Sequence, residues 1–138
     1  MAQIELTRAP IDVGALTNKL RNPNFGAIAT FVGTIREWTE SAGGARAHTD
    51  FITYTAYEEM ARAELAKLAA PVEAAGCQVI IVHSLATLRP TDIAVFIGVA
   101  SAHRKEALTA CQQLIDGLKE TVPIWKKETD EESERWGK

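Results

Sequence analysis

Three lysines surround an apolar Pro-Ile-Trp segment in LKETVPIWKKE, residues 118–128. Lys119 lies on the border of the apolar stripe of a predicted helix, and Lys126 and Lys127 directly follow the tryptophan. A lysine on such a border usually extends its ammonium group into water. If a cleft partly buries the ammonium group instead, its pKa falls, and the free amine can take part in proton transfer or covalent chemistry. The segment therefore holds candidate catalytic residues.

The order of residues in this segment separates two of the lysines. If residues 123–128 form a strand, Lys126 and Lys127 lie on opposite faces, because side chains alternate along a strand. Only one of them can then face the same cleft as Lys119. We predict that this residue is Lys126.

Another candidate cation, Arg36, ends the segment GAIATFVGTIR, residues 26–36. The segment is apolar on both faces, which predicts a strand in the interior of a sheet. An arginine at its end, on the face of Thr34, would lie at the rim of the sheet, where ligands commonly bind. The same side chain could instead pair with a nearby acid such as Glu37 or Glu40.

The start of the clearest predicted helix carries three potential cations, His103, Arg104 and Lys105. Free N–H groups give a helix N-terminus partial positive charge, so cations are mildly unfavourable there. A bound anion would reverse that balance, because it meets the backbone donors and the side chains together. The alternative is that these side chains simply extend into water.

The remaining histidine and cysteine candidates are predicted to be structural. His83 lies on an apolar strand face, which favours a core histidine over a catalyst. Cys77 and Cys111 lie in apolar contexts, as expected of reduced core thiols in a cytoplasmic protein. The sequence has no CxxC, no HExxH and no clustered His/Cys spacing, so we predict neither a metal nor a cofactor.

Length and composition are those of one ordinary globular domain. The chain has 138 residues, of which 46% are hydrophobic and 24% charged, and its formal net charge is -3. This acidic balance, without a basic stripe, argues against nucleic-acid binding. No apolar run approaches the roughly 18 residues of a membrane-spanning helix, and the N-terminus lacks the apolar centre of a signal peptide. We therefore expect a cytoplasmic protein with no membrane association.

Hydrophobic periodicity predicts a single α+β domain over residues 1–138. From Asp50 onward the predicted order is β-α-β-β-α-β, the ferredoxin-like pattern, and the first third adds a β-α-β extension. Pro71 is expected to bend or end the first long helix. The predicted elements are strand 3–6, helix 12–20, strand 26–36, loop 37–49, strand 50–57, helix 58–76, strands 78–85 and 92–100, helix 102–120 and strand 123–128.

Four segments, in order along the chain, resemble the large, catalytic subunit of molybdopterin synthase: FVGTIR (31–36), YTAYEEMA (54–61), SAHR (101–104) and LKETVPIWKKE (118–128). The resemblance extends from about Gly14 to Trp136. The SAHR helix start and the K-x-x-x-P-x-W-K-K-E ending are jointly specific. The chain departs from the family's usual pattern at positions outside the cationic set, namely Thr53, Thr55, Ser84, Ala86 and Thr91.

The resemblance implies an α/β hammerhead-type fold and a homodimer. Each subunit would bind a small ubiquitin-like sulfur-carrier subunit, giving a heterotetramer. The carrier's C-terminal Gly-Gly thiocarboxylate would enter a pocket and deliver sulfur to cyclic pyranopterin monophosphate, which forms the dithiolene of molybdopterin. Neither cysteine is required, because the sulfur arrives on the partner.

The resemblance also implies roles for particular residues. Lys119 and Lys126 would be the catalytic residues. The implied substrate-binding set is Thr34, Ile35, Arg36, His103, Arg104, Lys119, Lys126, Lys127 and Glu128. Both the substrate phosphate and the thiocarboxylate are anions, and fixed cations in a partly dry pocket would offset their repulsion.

Two other readings remain compatible with the residues alone. A non-catalytic, diverged homologue or regulatory module could bind a phosphorylated metabolite at the helix start at His103. A purely structural subunit of a larger assembly would use none of the cations for ligand binding.

Overall fold

The computed structural model describes residues 2–40, 46–130 and 134–137. These residues form the three helices that the sequence predicts, together with ten strands. In chain order they are β1 (Gln3–Thr7), α1 (Val13–Lys19), β2 (Ala27–Thr34), β3 (Trp38–Glu40), β4 (Arg46–His48), β5 (Phe51–Ala56), α2 (Glu58–Ala74), β6 (Gln78–Ser84), β7 (Thr87–Leu88), β8 (Ile93–Ser101), α3 (Arg104–Thr121), β9 (Ile124–Thr129) and β10 (Glu134–Gly137).

The described strands form two four-stranded sheets and one two-stranded sheet, in which β3 pairs with β4. The first has the order β1-β6-β8-β2, with β1 parallel to β6 and the other pairs antiparallel. The second has the order β10-β9-β5-β7 and is antiparallel throughout. The predicted β-α-β-β-α-β succession is present as β5-α2-β6-β8-α3-β9, interrupted only by the short β7. Its four strands are divided between the two sheets, because β6 and β8 pair with the N-terminal strands β1 and β2.

Helices cover both faces of the first sheet. On one face, α2 and α3 contribute Leu65 and Leu114 to the larger core cluster, with Ile97 of β8 beneath them. On the other face, Leu16 and Leu20, within and just after α1, pack near Phe96. Because β6 and β8 are thus covered on both sides, nearly all their residues are buried. Each fully buried large aliphatic side chain contributes roughly 1.5–3 kcal/mol of hydrophobic stabilisation.

The strand β2 is not the interior strand that its sequence predicts. Within the described residues it pairs only with β8, so it forms an edge of the first sheet. It is apolar on both faces because Ala29 and Phe31 join the core cluster beneath α3, whereas Val32 packs in the cluster beneath α1. Because helices cover both of its faces, this edge strand has the same two-sided apolar pattern as a strand in the interior of a sheet.

The two sheets are joined near the ends of β2 and β6. The backbone N–H of Ile35 donates to the carbonyl of Asp92 at 3.0 Å, and the N–H of Thr91 donates to the carbonyl of Ile35 at 2.9 Å. The N–H of Tyr54 in β5 donates to the carbonyl of Ala86 at 3.2 Å. The Ile35 bonds join the segments that follow β2 and precede β8, and the Tyr54 bond links the second sheet to the segment that follows β6. A pocket lies between the two sheets, beside the end of α3.

Among the residues described, no helix combines the length and apolar character that a membrane crossing needs.

Candidate active site

A pocket of about 310 Å³ opens where the first sheet, the second sheet and the C-terminal end of α3 meet. Its walls are largely apolar, with Phe31 of β2, Ile115 of α3 and Ile124 of β9 among them. Charged and polar side chains interrupt this lining at a few points. They are Thr34, Arg36, Tyr54, His83, Lys119 and Lys126.

Three cations from separate elements line this pocket. Lys119 comes from the last turn of α3, Lys126 from β9, and Arg36 from the residues just after β2. Burial lowers the pKa of Lys119, and the charges of Lys126 and Arg36 lower it further. The site therefore favours a free amine on Lys119 more than water does, and attracts anions through the two other cations.

A buried carboxylate holds one of these cations in place. Glu128 is 7% exposed and lies on the same face of β9 as Lys126. Its Oε1 atom is 3.3 Å from Lys126 Nζ, and its Oε2 atom is 3.5 Å from Arg135 Nε in β10. Glu128 thus pairs with cations and does not line the pocket, although the resemblance places it in the substrate-binding set.

Lys127 lies on the opposite face of β9, away from the pocket. Its Nζ atom is 3.4 Å from Glu134 Oε2 and 5.8 Å from the centre of the Trp136 ring. The alternation of side chains along β9 separates it from Lys126, as expected for a strand. Lys127 therefore does not share the pocket with Lys119.

His83 and Tyr54 are neutral polar groups in the same pocket. His83 is only 4% exposed, and its Nδ1 atom is 2.8 Å from the carbonyl oxygen of Ser84. Burial lowers the pKa of His83 to about 4, and the charge of Lys119 lowers it as well, against the opposing effect of the Ser84 hydrogen bond. The Tyr54 ring meets the His83 ring edge to face, with the ring centres 4.9 Å apart.

Known proteins are similar to this chain over nearly its whole length. A family model described as "MoaE protein" matches residues 6–121. The chain belongs to the MoaE protein family. The molybdopterin synthase catalytic subunits of Bacillus subtilis (strain 168) and Staphylococcus carnosus (strain TM300) are 39% and 41% identical over 138 residues. Each alignment covers 99% of this chain. It covers 85% of the Bacillus subtilis protein and 89% of the Staphylococcus carnosus protein.

A solved structure has the same fold. The crystal structure of molybdopterin synthase from Staphylococcus aureus superposes with a TM-score of 0.89 at 36% identity, covering 100% of this chain and 98% of that one. The α+β class and the hammerhead-type fold expected from the sequence are therefore confirmed. The assignment to the sulfur-transferring catalytic subunits of molybdopterin synthase is also confirmed.

Within this MoaE-family chain, some expected site residues lie outside the pocket. Ile35 is 5% exposed, and both its N–H and its carbonyl are bonded to the turn before β8, so its backbone is not free for a ligand. His103 and Arg104 are exposed at the N-terminus of α3. At 1.5 Å per residue, their helix start is about 24 Å from Lys119. A single chain therefore does not bring them to the three cations.

The cysteines also lie away from the pocket. Cys111 is buried in α3, with its Sγ atom 3.8 Å from the carbonyl oxygen of Ile97, and Cys77 is partly buried. Over residues 2–40, 46–130 and 134–137, no group of three or more His, Cys, Asp or Glu side chains is arranged to hold a metal ion.

The burial of His83 predicts a pH-dependent stability. Its pKa is about 4 when folded and 6.5 ordinarily, so between pH 6.5 and 4 the unfolded chain binds a proton that the folded chain does not. Stability is therefore lost as the pH falls through this window, by up to about 3 kcal/mol. Urea unfolding at pH 7 and pH 4 checks this.

His83→Gln is the control for that measurement, because it removes this titration and leaves the acidic residues in place. We expect the free energy of unfolding of the variant to fall about 3 kcal/mol less than that of the parent between the two pH values. Equal losses in parent and variant would show that His83 does not carry the effect.

Proposed function

We propose that this chain is the catalytic subunit of a molybdopterin synthase. It transfers sulfur from the thiocarboxylated C-terminus of a small ubiquitin-like carrier to cyclic pyranopterin monophosphate, which becomes the dithiolene of molybdopterin. The observation that carries the proposal is the convergence of Arg36, Lys119 and Lys126 on one partly apolar pocket. The names of the relatives from Bacillus subtilis and Staphylococcus carnosus support the same activity.

The charges in the pocket match the two reactants. A phosphate monoanion and a thiocarboxylate repel each other, and a pocket with fixed cations and apolar walls offsets this repulsion more strongly than water. Arg36 and Lys126 would hold the anions, since the guanidinium and ammonium groups can donate several hydrogen bonds. Thr34, at the rim of β2, would add a polar contact to the substrate.

Lys119 would carry the proton transfers. Its lowered pKa increases the fraction of free amine that can accept a proton, and the ammonium form can return that proton to a leaving oxygen. This role is separate from that of Lys126, whose Nζ atom is ion-paired to Glu128 at 3.3 Å and is thereby held in place. We infer that Lys119 and Lys126 are the catalytic residues, with different tasks.

The remaining expected residues require a second copy of the chain. His103 and Arg104 could act on the substrate of this pocket only from another protomer, because their own helix carries them away from it. The proposal therefore includes a homodimer, with one carrier bound to each subunit. Such a heterotetramer would act in the cytoplasm.

The test is reconstitution from purified components. The protein is mixed with the carrier in its thiocarboxylate form and with cyclic pyranopterin monophosphate, and molybdopterin is followed by mass spectrometry. The same carrier ending in an ordinary carboxylate is the control and should give no product. If the carrier binds in gel filtration but the thiocarboxylate form yields no molybdopterin, the proposal is wrong.

A further inference from the structure

One hydrogen-bonding group in the pocket, the acceptor nitrogen of His83, is not explained by the binding of anions. Tyr54 and His83 line the same space as the three cations, but both are neutral at pH 7. A cationic pocket built only for phosphate and thiocarboxylate has no use for a hydrogen-bond acceptor, because both reactants are themselves acceptors. The pair therefore calls for a different part of the ligand.

The hydrogen bond of His83 fixes which of its nitrogens can accept. The carbonyl oxygen of Ser84 can only accept, so the Nδ1 atom at 2.8 Å must carry the proton and donate. In the neutral ring the Nε2 atom is then a lone-pair acceptor. Burial and the charge of Lys119 hold the pKa of His83 at about 4, which keeps the ring neutral at physiological pH.

Tyr54 provides the complementary donor. Its N–H bond to Ala86 fixes its backbone, and it lies directly opposite Lys126 in the pairing of β5 with β9. Burial raises the pKa of its hydroxyl, and the charge of Glu128 raises it further, so the hydroxyl keeps its proton. The edge-to-face contact with His83 holds the two rings in one arrangement.

Both polar atoms are open to the pocket. Neither Tyr54 Oη nor His83 Nε2 has a hydrogen-bond partner among the residues that the structure describes. In that part of the chain, Thr129 Oγ1 is the one fully buried side-chain nitrogen or oxygen without a partner. The two unpaired atoms of Tyr54 and His83 are consequently accessible, and both residues line the pocket.

We propose that Tyr54 and His83 form a neutral subsite that binds the pterin ring system of the substrate, apart from the cations that bind its phosphate. This inference rests on the proposed function. The pyrimidinone ring of a reduced pterin presents N–H donors and a carbonyl acceptor, which match His83 Nε2 and the Tyr54 hydroxyl. The ionised cyclic phosphate of the substrate has no O–H donor for Nε2, so the subsite selects the ring.

Two substitutions of His83 each keep a polar group at only one of the two ring-nitrogen positions. His83→Asn keeps an amide N–H near the position of Nδ1, for the bond to Ser84, and removes the group at Nε2. His83→Gln places its amide near the position of Nε2. Tyr54→Phe removes only the hydroxyl and retains the ring contact. Thermal melting first establishes that each variant is folded. If His83→Asn does not fold, the binding measurements on Tyr54→Phe test the subsite.

Calorimetry with two probes measures the subsite. We expect His83→Asn and Tyr54→Phe each to weaken the binding of cyclic pyranopterin monophosphate about tenfold, and His83→Gln to weaken it less. The binding of inorganic phosphate should stay within about twofold of the parent in all three variants. Arg36→Ala should instead weaken the binding of both probes.

The outcomes distinguish this inference from the proposed function. If the parent binds the pterin substrate and the folded variants bind it equally well, the subsite is wrong while the function stands. If the variants lose both probes to the same degree, the two residues support the pocket wall and do not recognise the ring, which also overturns the inference. A parent that binds no cyclic pyranopterin monophosphate would contradict the function and the subsite together.

Discussion

Replacement of Lys119 by alanine is expected to slow molybdopterin formation about a thousandfold, because a positioned acid–base group typically contributes 10²–10⁴-fold to the rate. Lys119 is the pocket lysine whose pKa is lowered by burial and by the neighbouring charges of Lys126 and Arg36. Its removal takes away the amine and leaves those two cations to bind the anions. The turnover number should therefore fall much more than the affinity for the carrier, as measured by single-turnover assays and calorimetry.

Two further variants show what Lys119 contributes. Lys127→Ala removes a lysine of similar exposure to Lys126 from the opposite face of β9, where it pairs with Glu134, and should leave the rate within about twofold. Lys119→Arg keeps the charge but cannot supply a free amine at neutral pH. A parent-like rate for Lys119→Arg would mean that only the charge matters, and a parent-like rate for Lys119→Ala would remove this residue from the reaction.

Local signals in the sequence were sufficient for several elements of the fold. Aspartate is a common N-cap residue, and the side chain of Asp12, directly before α1, accepts a hydrogen bond from the N–H of Ala15 at 3.0 Å. The apolar stripe of α3 includes Leu114 and Leu118 at helical spacing, and both side chains are buried. Such features depend on neighbours three or four residues away, so a short stretch of sequence contains them.

Features that depend on distant packing were not predictable in the same way. Pro71 does not end α2, which continues to Ala74. The helix loses one backbone hydrogen bond at this proline, and the packing of Ala69 and Val72 in the core cluster supports its last turns. Met60 and Leu108 lie near the apolar faces of α2 and α3 by helical spacing, yet they are 57% and 62% exposed. Part of the expected loop at 37–49 forms β3 and β4, which pair in antiparallel fashion, while residues 41–45 lie outside the described residues.

The candidate site shows the same division between local and distant information. The alternation along β9 was sufficient to place Lys126, and not Lys127, on the face that proves to line the pocket. The role of His83 could not be predicted, because the pattern of β6 shows only that its side chain is buried. His83 lies beside Tyr54 and Lys119 because the two sheets pack against each other at this point. The pattern within any one segment of the sequence does not contain this information.

The buried carboxylate of Glu128 provides the second large effect. Glu128→Gln keeps the shape of the side chain but removes the charge that faces Lys126 and Arg135. Lys126 and Arg135 are each about a third exposed, so water offsets part of the loss. We expect the free energy of unfolding to fall by about 2 kcal/mol, less than the 3–5 kcal/mol typical of fully buried pairs. Urea unfolding at pH 7 measures it.

Glu134→Gln is the matched control, because Glu134 pairs with Lys127 at 3.4 Å but its side chain is 59% exposed. An exposed pair of this kind contributes at most about 1 kcal/mol, so the control should lose far less stability than Glu128→Gln. Glu128→Gln should also slow sulfur transfer about tenfold, because Lys126 loses the partner that fixes its ammonium group in the pocket. If both variants lose the same small stability and keep the parent rate, Glu128 does not position Lys126. The placement of that lysine would then depend on the strand alone.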